Sequence, residues 1–337
     1  MRLRYGRPIY PISTSKLILN TEHNILNIRV AVGILKDSDD RYLLGKRLDS
    51  QTWPGWWEFP GGKLEIKESP DEALKREIFE ELGVIVKKYS QWTTRRVIGK
   101  GRITTLYFFK ITAWVGKVTG KEGQKLLWAN LKTNNSEKIL PPNKLIHKAL
   151  RNDLPDVYAI TNLHEISLDN FYRALKNKIK EGLRLIQIRE KSFNVSELES
   201  LINQLKQMLI NTDVKIIINS SVDLAYKYKL DGVHLNSLQL HELEYFPEDI
   251  LVGVSCHSKK DLEVAEKKNA DFAVLGSVKK TLSHPHAEPV GWEKFRELVE
   301  DSNLPIYAIG GMTRDDISLS FENGAIGIAT QRDIWSN

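Results

Sequence analysis

From residue 156 onward eight short apolar runs recur, and they restrict the fold of that half more than any other feature. They are DVYAIT (156–161), LRLIQIRE (183–190), KIIINS (215–220), DGVHLN (231–236), LVGVSCH (251–257), ADFAVLGSV (270–278), PIYAIGG (305–311) and AIGIAT (325–330). Each has the length and composition of a strand buried on both faces, with helical stretches between them. Eight such strands alternating with helices predict a compact parallel (β/α)8 barrel. Only a few residues follow the last run, so the final helix is expected to be truncated or absent.

The first half has another rhythm. IRVAVGIL (28–35), RYLLGKR (41–47), VIVKKY (84–89), TTLYFFKITAWV (104–115) and KLLWANL (125–131) read as strands, and a last helix is expected over Asn143 to Leu150. Strands on both sides of one polar helix imply an α/β/α sandwich. The expected organisation is an extension (1–26), a first domain (27–150), a short linker (151–155) and the barrel (156–337). The joint RNDLPD (151–156) has no Gly/Ser tract, so the two domains are expected to pack together.

The polar helix lies in GKLEIKESPDEALKREIFEELGV (62–84). Ser69, Pro70 and Glu72 form a capping-box start, and Gly83 suits a left-handed stop. Ala73, Leu74, Ile78 and Leu82 make its apolar face. Glu77, Glu80 and Glu81 share another face at i, i+3 and i+4, where like charges destabilise a bare helix. A hard cation reverses that sign, because Mg²⁺ takes oxygen ligands and phosphates.

Bulk composition bounds the partners. The net charge of +6 comes from 49 basic and 43 acidic residues, which are scattered, so nucleic acid is not required. Anionic small molecules suffice. The single cysteine, Cys256, excludes internal disulfides and fits a reducing cytoplasm. No apolar run is long enough to span a membrane, and residues 1–16 lack the apolar core of a signal peptide.

The 62–84 segment resembles the Nudix box at every defined position. The resemblance implies hydrolysis of a nucleoside diphosphate linked to another group, with Mg²⁺ or Mn²⁺ as cofactor. It makes Glu77, Glu80 and Glu81 metal ligands, helped by the Gly61 carbonyl. It has Arg76 orienting a box glutamate and Glu68 supporting the site. The flanking VAVGIL, GKR, WPGWWEFPGGKLE, GKEGQ and LPPN resemble MutT-type enzymes, which clear oxidised guanine nucleotides such as 8-oxo-dGTP, giving the monophosphate and pyrophosphate. That match makes Glu122 a metal-approaching carboxylate and base, Asn143 the reader of the oxidised base, Arg47 a basic neighbour of the nucleotide and Phe59 a pocket wall. One residue fewer separates the prolines from Asn143 than in that family. Trp53, Trp56 and Trp57 are either core or stacking residues.

The barrel motifs QIREK, INSSVDLA, GVSCHS, TLSHP and YAIGGM resemble the thiamine phosphate synthase and thiazole tautomerase superfamily. The resemblance places a phosphorylated thiamine-pathway ligand at Gln187, Arg189, Lys191, Asn219, Ser255, His257, Thr281, Ser283, Gly310 and Gly311. Gln187, Arg189 and Lys191 alternate and are expected on one strand face. Ser220 stands where the synthase has its first metal-holding aspartate, and Gln239 at or near the second. His284 replaces a basic residue, and His286 beside it makes a weak metal candidate. The leading expectation is therefore a nucleotide-cleaning hydrolase with a degenerate phosphate-binding barrel. An active synthase or tautomerase barrel, a barrel acting as regulatory sensor, and a Nudix site fed by the barrel remain open. Oligomeric state is not legible.

Overall fold

The computed structural model describes residues 25–99, 101–133, 138–281 and 288–336. Two bodies follow one another. The first holds β1 (Leu26–Leu35), β2 (Tyr42–Lys46), β3 (Trp57–Glu58), β4 (Gly61–Lys63), α1 (Pro70–Leu82), β5 (Ile85–Gly99), β6 (Arg102–Val115), β7 (Leu126–Ala129) and α2 (Lys144–Arg151). One sheet runs β4-β1-β6-β5 and a smaller one β3-β2-β7. Alternation along β1 and β6 divides the side chains between two cores. Ala31, Leu35, Phe109 and Ile111 pack on α1 through Leu74, Ile78 and Leu82. Val32, Ile34, Leu106 and Phe108 pack the other way, towards Phe59, Leu145 and Ala149.

The second body holds β8 (Val157–Ile160), α3 (Leu168–Lys180), β9 (Leu185–Ile188), α4 (Val195–Met208), β10 (Lys215–Asn219), α5 (Val222–Lys227), β11 (Gly232–Leu235), α6 (Ser237–Glu242), β12 (Leu251–Cys256), α7 (Lys259–Lys267), β13 (Phe272–Gly276), α8 (Gly291–Val299), β14 (Ile306–Ile309), α9 (Ile317–Glu322) and β15 (Gly327–Thr330). The eight strands close into a barrel, with β15 pairing back onto β8. Beyond β15, among the described residues, only a 3₁₀ turn, Asp333–Trp335, is formed. Its Trp335 indole N–H donates to the Ile160 carbonyl at 2.7 Å and seals that end of the wall. Among the described residues no helix is long and apolar enough to cross a membrane.

Strand β5 departs from the expectation. The sequence predicts a strand over 84–89, whereas β5 continues to Gly99 and pairs along the whole of β6. Its added part is the seam between the bodies. The Trp92 indole N–H donates to the Ile326 carbonyl at 3.2 Å and the Thr93 hydroxyl to the Ala325 carbonyl at 2.8 Å. Arg95 donates to the Ser302 carbonyl at 2.6 Å and to Asn303 Oδ1 at 2.9 Å. Lys110 pairs with Asp156 at 2.7 Å, and Asn152 Nδ2 donates to Asp271 Oδ1 at 2.8 Å. Asp156, Asp271, Ser302, Asn303, Ala325 and Ile326 all precede barrel strands. The first body therefore covers the N-terminal end of the barrel, and the C-terminal mouth opens away from it.

Candidate active sites

Helix α1 begins as its sequence dictates. Pro70 is the first helical residue, and the Glu72 carboxylate accepts from the Ser69 N–H at 2.9 Å. It ends at Gly83, whose φ of 70° is left-handed. The last carbonyls of α1 would be orphans without partners. Thr119 N–H supplies Leu82 at 3.0 Å, Lys121 N–H supplies Glu81 at 2.9 Å, and Gln124 Nε2 supplies Glu81 at 3.2 Å. Gln124 Oε1 in turn accepts from the Glu122 N–H at 3.0 Å. Capping the helix thus carries the Glu122 loop to Glu81. One cleft is lined by Arg47, Glu58, Phe59, Glu81, Glu122 and Gln124.

The carboxylates have definite partners. Glu81 accepts from the Gly61 N–H at 3.0 Å. Burial, then the charges of Glu122 and Glu77, push its pKa up to about 8, against the bond from Gly61. Glu77 is also raised, by burial first. Arg76 makes its two-pronged pair with Glu68 and single bonds to Glu77 and Glu80, so the bidentate partner lies outside the three-glutamate face. Glu80 is half-exposed. Two glycines lie beside these groups: the backbone requires the first, and the second leaves room for the Glu77 carboxylate. A Cβ on Gly61 (φ 145°) would lie 2.1 Å from the Ala31 carbonyl oxygen, and one on Gly62 would lie 2.2 Å from the Glu77 carboxylate.

Other predicted residues are placed differently. Arg47 binds both oxygens of Glu58 at 2.6 and 2.7 Å and the Thr52 carbonyl at 2.6 Å, so its charge is already engaged. Asn143 ends a 3₁₀ turn just before α2 and is 2% exposed; it is not among the residues lining the cleft.

At the barrel mouth, Gln187 and Asn219 meet through Nε2 and Oδ1 at 3.1 Å. The expectation of one strand face for Gln187, Arg189 and Lys191 fails. Strand β9 stops at Ile188; Gln187 is buried, Arg189 half-buried and Lys191 exposed in a turn. Ser255 Oγ lies 2.9 Å from His234 Nε2, and His257 Nδ1 lies 3.1 Å from the Gly276 carbonyl. Gly310 and Gly311 both have positive φ, 104° and 62°, directly after β14. Ser220 and Gln239 are bonded to each other, Gln239 Nε2 donating to the Ser220 carbonyl at 2.9 Å. Asn219 and Asn236 amides both donate to the Ser220 hydroxyl, at 3.0 and 3.2 Å. Thr281 is the last described residue before 282–287; Ser283, His284 and His286 lie outside the described residues.

Comparison with known proteins agrees with both halves. The NUDIX domain family matches residues 27–154, and the thiamine monophosphate synthase family matches residues 157–334. The chain belongs to both families. An 8-oxo-dGTP diphosphatase of Haemophilus influenzae is 33% identical over 124 residues, covering 36% of this chain and 91% of that protein. A thiamine-phosphate synthase of Caldanaerobacter subterraneus is 31% identical over 183 residues, covering 53% of this chain and 86% of that protein. The solved thiamine phosphate pyrophosphorylase of Pyrococcus furiosus is 28% identical, covers 55% of this chain and 92% of its own, and gives a TM-score of 0.45.

The chain is thus a Nudix hydrolase joined to a thiamine-phosphate-synthase-type barrel. Its Nudix glutamates suit a hard divalent cation in donor chemistry, since all are oxygen donors and glycine leaves room beside Glu77. Among the described residues, however, no three His, Cys, Asp or Glu side chains are gathered as a metal cluster. Glu77 and Glu80 are instead bonded to Arg76, and Glu81 accepts from the Gly61 N–H. Gln124, the tether of Glu122, stands in the GKEGQ motif but has no local pattern that marks this role, and neither has Asn236.

Proposed function

We propose that the Nudix domain hydrolyses oxidised purine nucleoside triphosphates of the 8-oxo-dGTP type to monophosphate and pyrophosphate. The observation that carries this reading is the single cleft lined by Glu81 and Glu122 together with Arg47 and Phe59. It joins an acidic, phosphate-handling end to an aromatic wall. Glu77, Glu80, Glu81, Glu122 and the Gly61 carbonyl would hold Mg²⁺ or Mn²⁺. The chemistry such a cation supplies when bound is neutralisation of phosphate charge and activation of the attacking water.

The chain's own residues do the rest. Arg76 fixes the orientation of Glu77 and Glu80. Glu81, partly buried and fixed by the Gly61 N–H, would serve as a cation ligand, and Glu122 would take the proton from water. Glu122 approaches from the tethered loop. Phe59, 2% exposed, backs the cleft from the core, and Asn143, also 2% exposed and outside the cleft lining, would have to be uncovered by the nucleotide before its amide could donate and accept at a purine edge. Purified protein with Mg²⁺ should hydrolyse 8-oxo-dGTP far faster than dGTP, and Glu81→Gln should abolish the reaction while remaining folded. Equal rates on both nucleotides would remove the base-specific reading.

For the barrel, the reading is a phosphate-ligand site that works without Mg²⁺. The bonded Ser220–Gln239 pair supports it, because neutral amide and hydroxyl groups stand where the synthase places carboxylates. The mouth opens away from the Nudix domain, which argues against direct transfer of a ligand between the sites.

A further inference from the structure

The three tryptophans at 53, 56 and 57 have different fates. Trp56 and Trp57 are half-buried, whereas Trp53 is 52% exposed. Its backbone φ of 61° is left-handed, a conformation that a bulky side chain adopts only at a cost. Trp53 heads a tight turn in which its carbonyl accepts from the Trp56 N–H at 3.3 Å. Pro54 is second and Gly55, with φ 76°, is third, the residue pattern of a type II turn.

That turn is clamped. The Arg47 N–H donates to the Trp56 carbonyl at 2.9 Å, and the Gly55 N–H to the Arg47 carbonyl at 3.0 Å. The Arg47 guanidinium holds the Thr52 carbonyl from inside. The Trp53 indole packs against Trp56 at 4.8 Å with the rings at 70°, an edge contact. Its exposure excludes a core role. The loop is therefore a rigid support that holds an aromatic ring out in water.

Its location gives the ring a use. Arg47, Leu48 and Gln51 of the same loop line the cleft with Glu81 and Glu122. On the other side a short backbone ladder runs to the residue assigned to base reading. The Leu140 N–H donates to the Trp57 carbonyl at 2.9 Å, and the Asn143 N–H to the Leu140 carbonyl at 2.8 Å. The Trp53 turn is thus tied to Arg47, whose loop lines the cleft, and through Trp57 to the turn before Asn143, although Trp53 itself is not among the cleft-lining residues.

We infer that Trp53 is a stacking surface for the nucleobase and selects purines by ring area. The inference rests on the nucleotide-hydrolase reading above. A bicyclic base covers more of an indole than a pyrimidine does, and a ring already fixed in place loses little freedom on binding. Trp53 would therefore set base size, leaving the oxidised edge to Asn143.

The test is isothermal titration of the full chain, with Mg²⁺ present, using 8-oxo-dGMP, dCMP and pyrophosphate. Trp53→Ala should weaken 8-oxo-dGMP by about 10-fold, dCMP less, and pyrophosphate by under about twofold. Trp53→Phe should retain most of the affinity for 8-oxo-dGMP. Unchanged binding of 8-oxo-dGMP by Trp53→Ala, beside a wild type that prefers it, overturns the role of Trp53 alone. A parallel loss for pyrophosphate overturns it too, since the loop itself is then damaged. A wild type that binds dCMP as well as 8-oxo-dGMP overturns the base-reading function and the role of Trp53 with it.

Discussion

Arg76 grips Glu68 with two parallel bonds, Nε to Oε1 at 2.8 Å and Nη2 to Oε2 at 2.9 Å, while Nη1 reaches Glu77 at 2.8 Å and Glu80 at 3.0 Å. Glu68 thus sets the plane of the guanidinium, and the guanidinium sets two box glutamates. A planar fork can do this; a lysine ammonium cannot. Glu68→Gln should lower kcat on 8-oxo-dGTP by about 10-fold with little change in KM, and Arg76→Lys by about 100-fold. Steady-state kinetics, with circular dichroism to verify folding, decides it. A wild-type kcat for Glu68→Gln would show that the fork needs no such support.

Arg95 carries a charge from the Nudix domain into the floor of the barrel. Burial pulls its pKa down to about 10, and its partners are a carbonyl and an amide oxygen rather than a carboxylate. Asn303 is itself held by Glu266, which accepts from its side-chain amide at 2.7 Å and from its backbone N–H at 3.0 Å. Arg95→Met would leave these acceptors unpaired in a buried seam. It should cost about 2–4 kcal/mol in urea unfolding. An unchanged midpoint would mean that the seam does not contribute to stability.

This seam also shows what the sequence concealed. The barrel strands were legible because each is a dense apolar run, and α1 because its cap, apolar stripe and stop residue agree. The stretch QWTTRR (91–96) is polar and carries no strand signal of its own. Its strand conformation comes from pairing with β6, and Trp92, Thr93 and Arg95 are buried where the strand bonds to the barrel. The candidate site divides along the same line. Spacing along one helix brought out Glu77, Glu80 and Glu81. The tether from Gln124 to Glu81 is a long-range contact, and the capture of Arg47 by Glu58 depends on how the β2–β3 hairpin pairs, so neither has a local pattern.

His234 lies inside the barrel, with Nδ1 3.3 Å from the Tyr158 hydroxyl and Nε2 2.9 Å from Ser255 Oγ. Burial, reinforced by Arg189, lowers its pKa from 6.5 to about 3. The folded protein therefore keeps it neutral, while the unfolded chain takes up a proton below pH 6.5. The unfolded state binds more protons between those limits, so the stability contribution is complete above pH 6.5 and is lost progressively towards pH 3. Over that window it amounts to a few kcal/mol, on the order of the shift itself. Urea unfolding at pH 7 and at pH 4.5 should show a smaller difference for His234→Asn than for wild type. An equal difference would assign the acid sensitivity to other groups.

Ser220 retains a backbone φ of 60°, a left-handed conformation that suits Asp or Asn better than most residues. The main chain at this position is thus shaped for an aspartate, although the side chain is a hydroxyl. Its partner across the mouth, Gln239, bonds to the Ser220 carbonyl. The barrel should therefore bind phosphate ligands equally well with EDTA or Mg²⁺. The measurement belongs in a Glu80→Gln/Glu81→Gln background, which silences the Nudix site. In that background Ser220→Asp/Gln239→Asp should make pyrophosphate binding Mg²⁺-dependent, tightening it by about 10-fold, roughly the worth of one charge-assisted contact. Wild-type protein given the pyrimidine pyrophosphate and thiazole phosphate should form no thiamine phosphate. Its formation would show that the neutral pair does not disable the synthase chemistry.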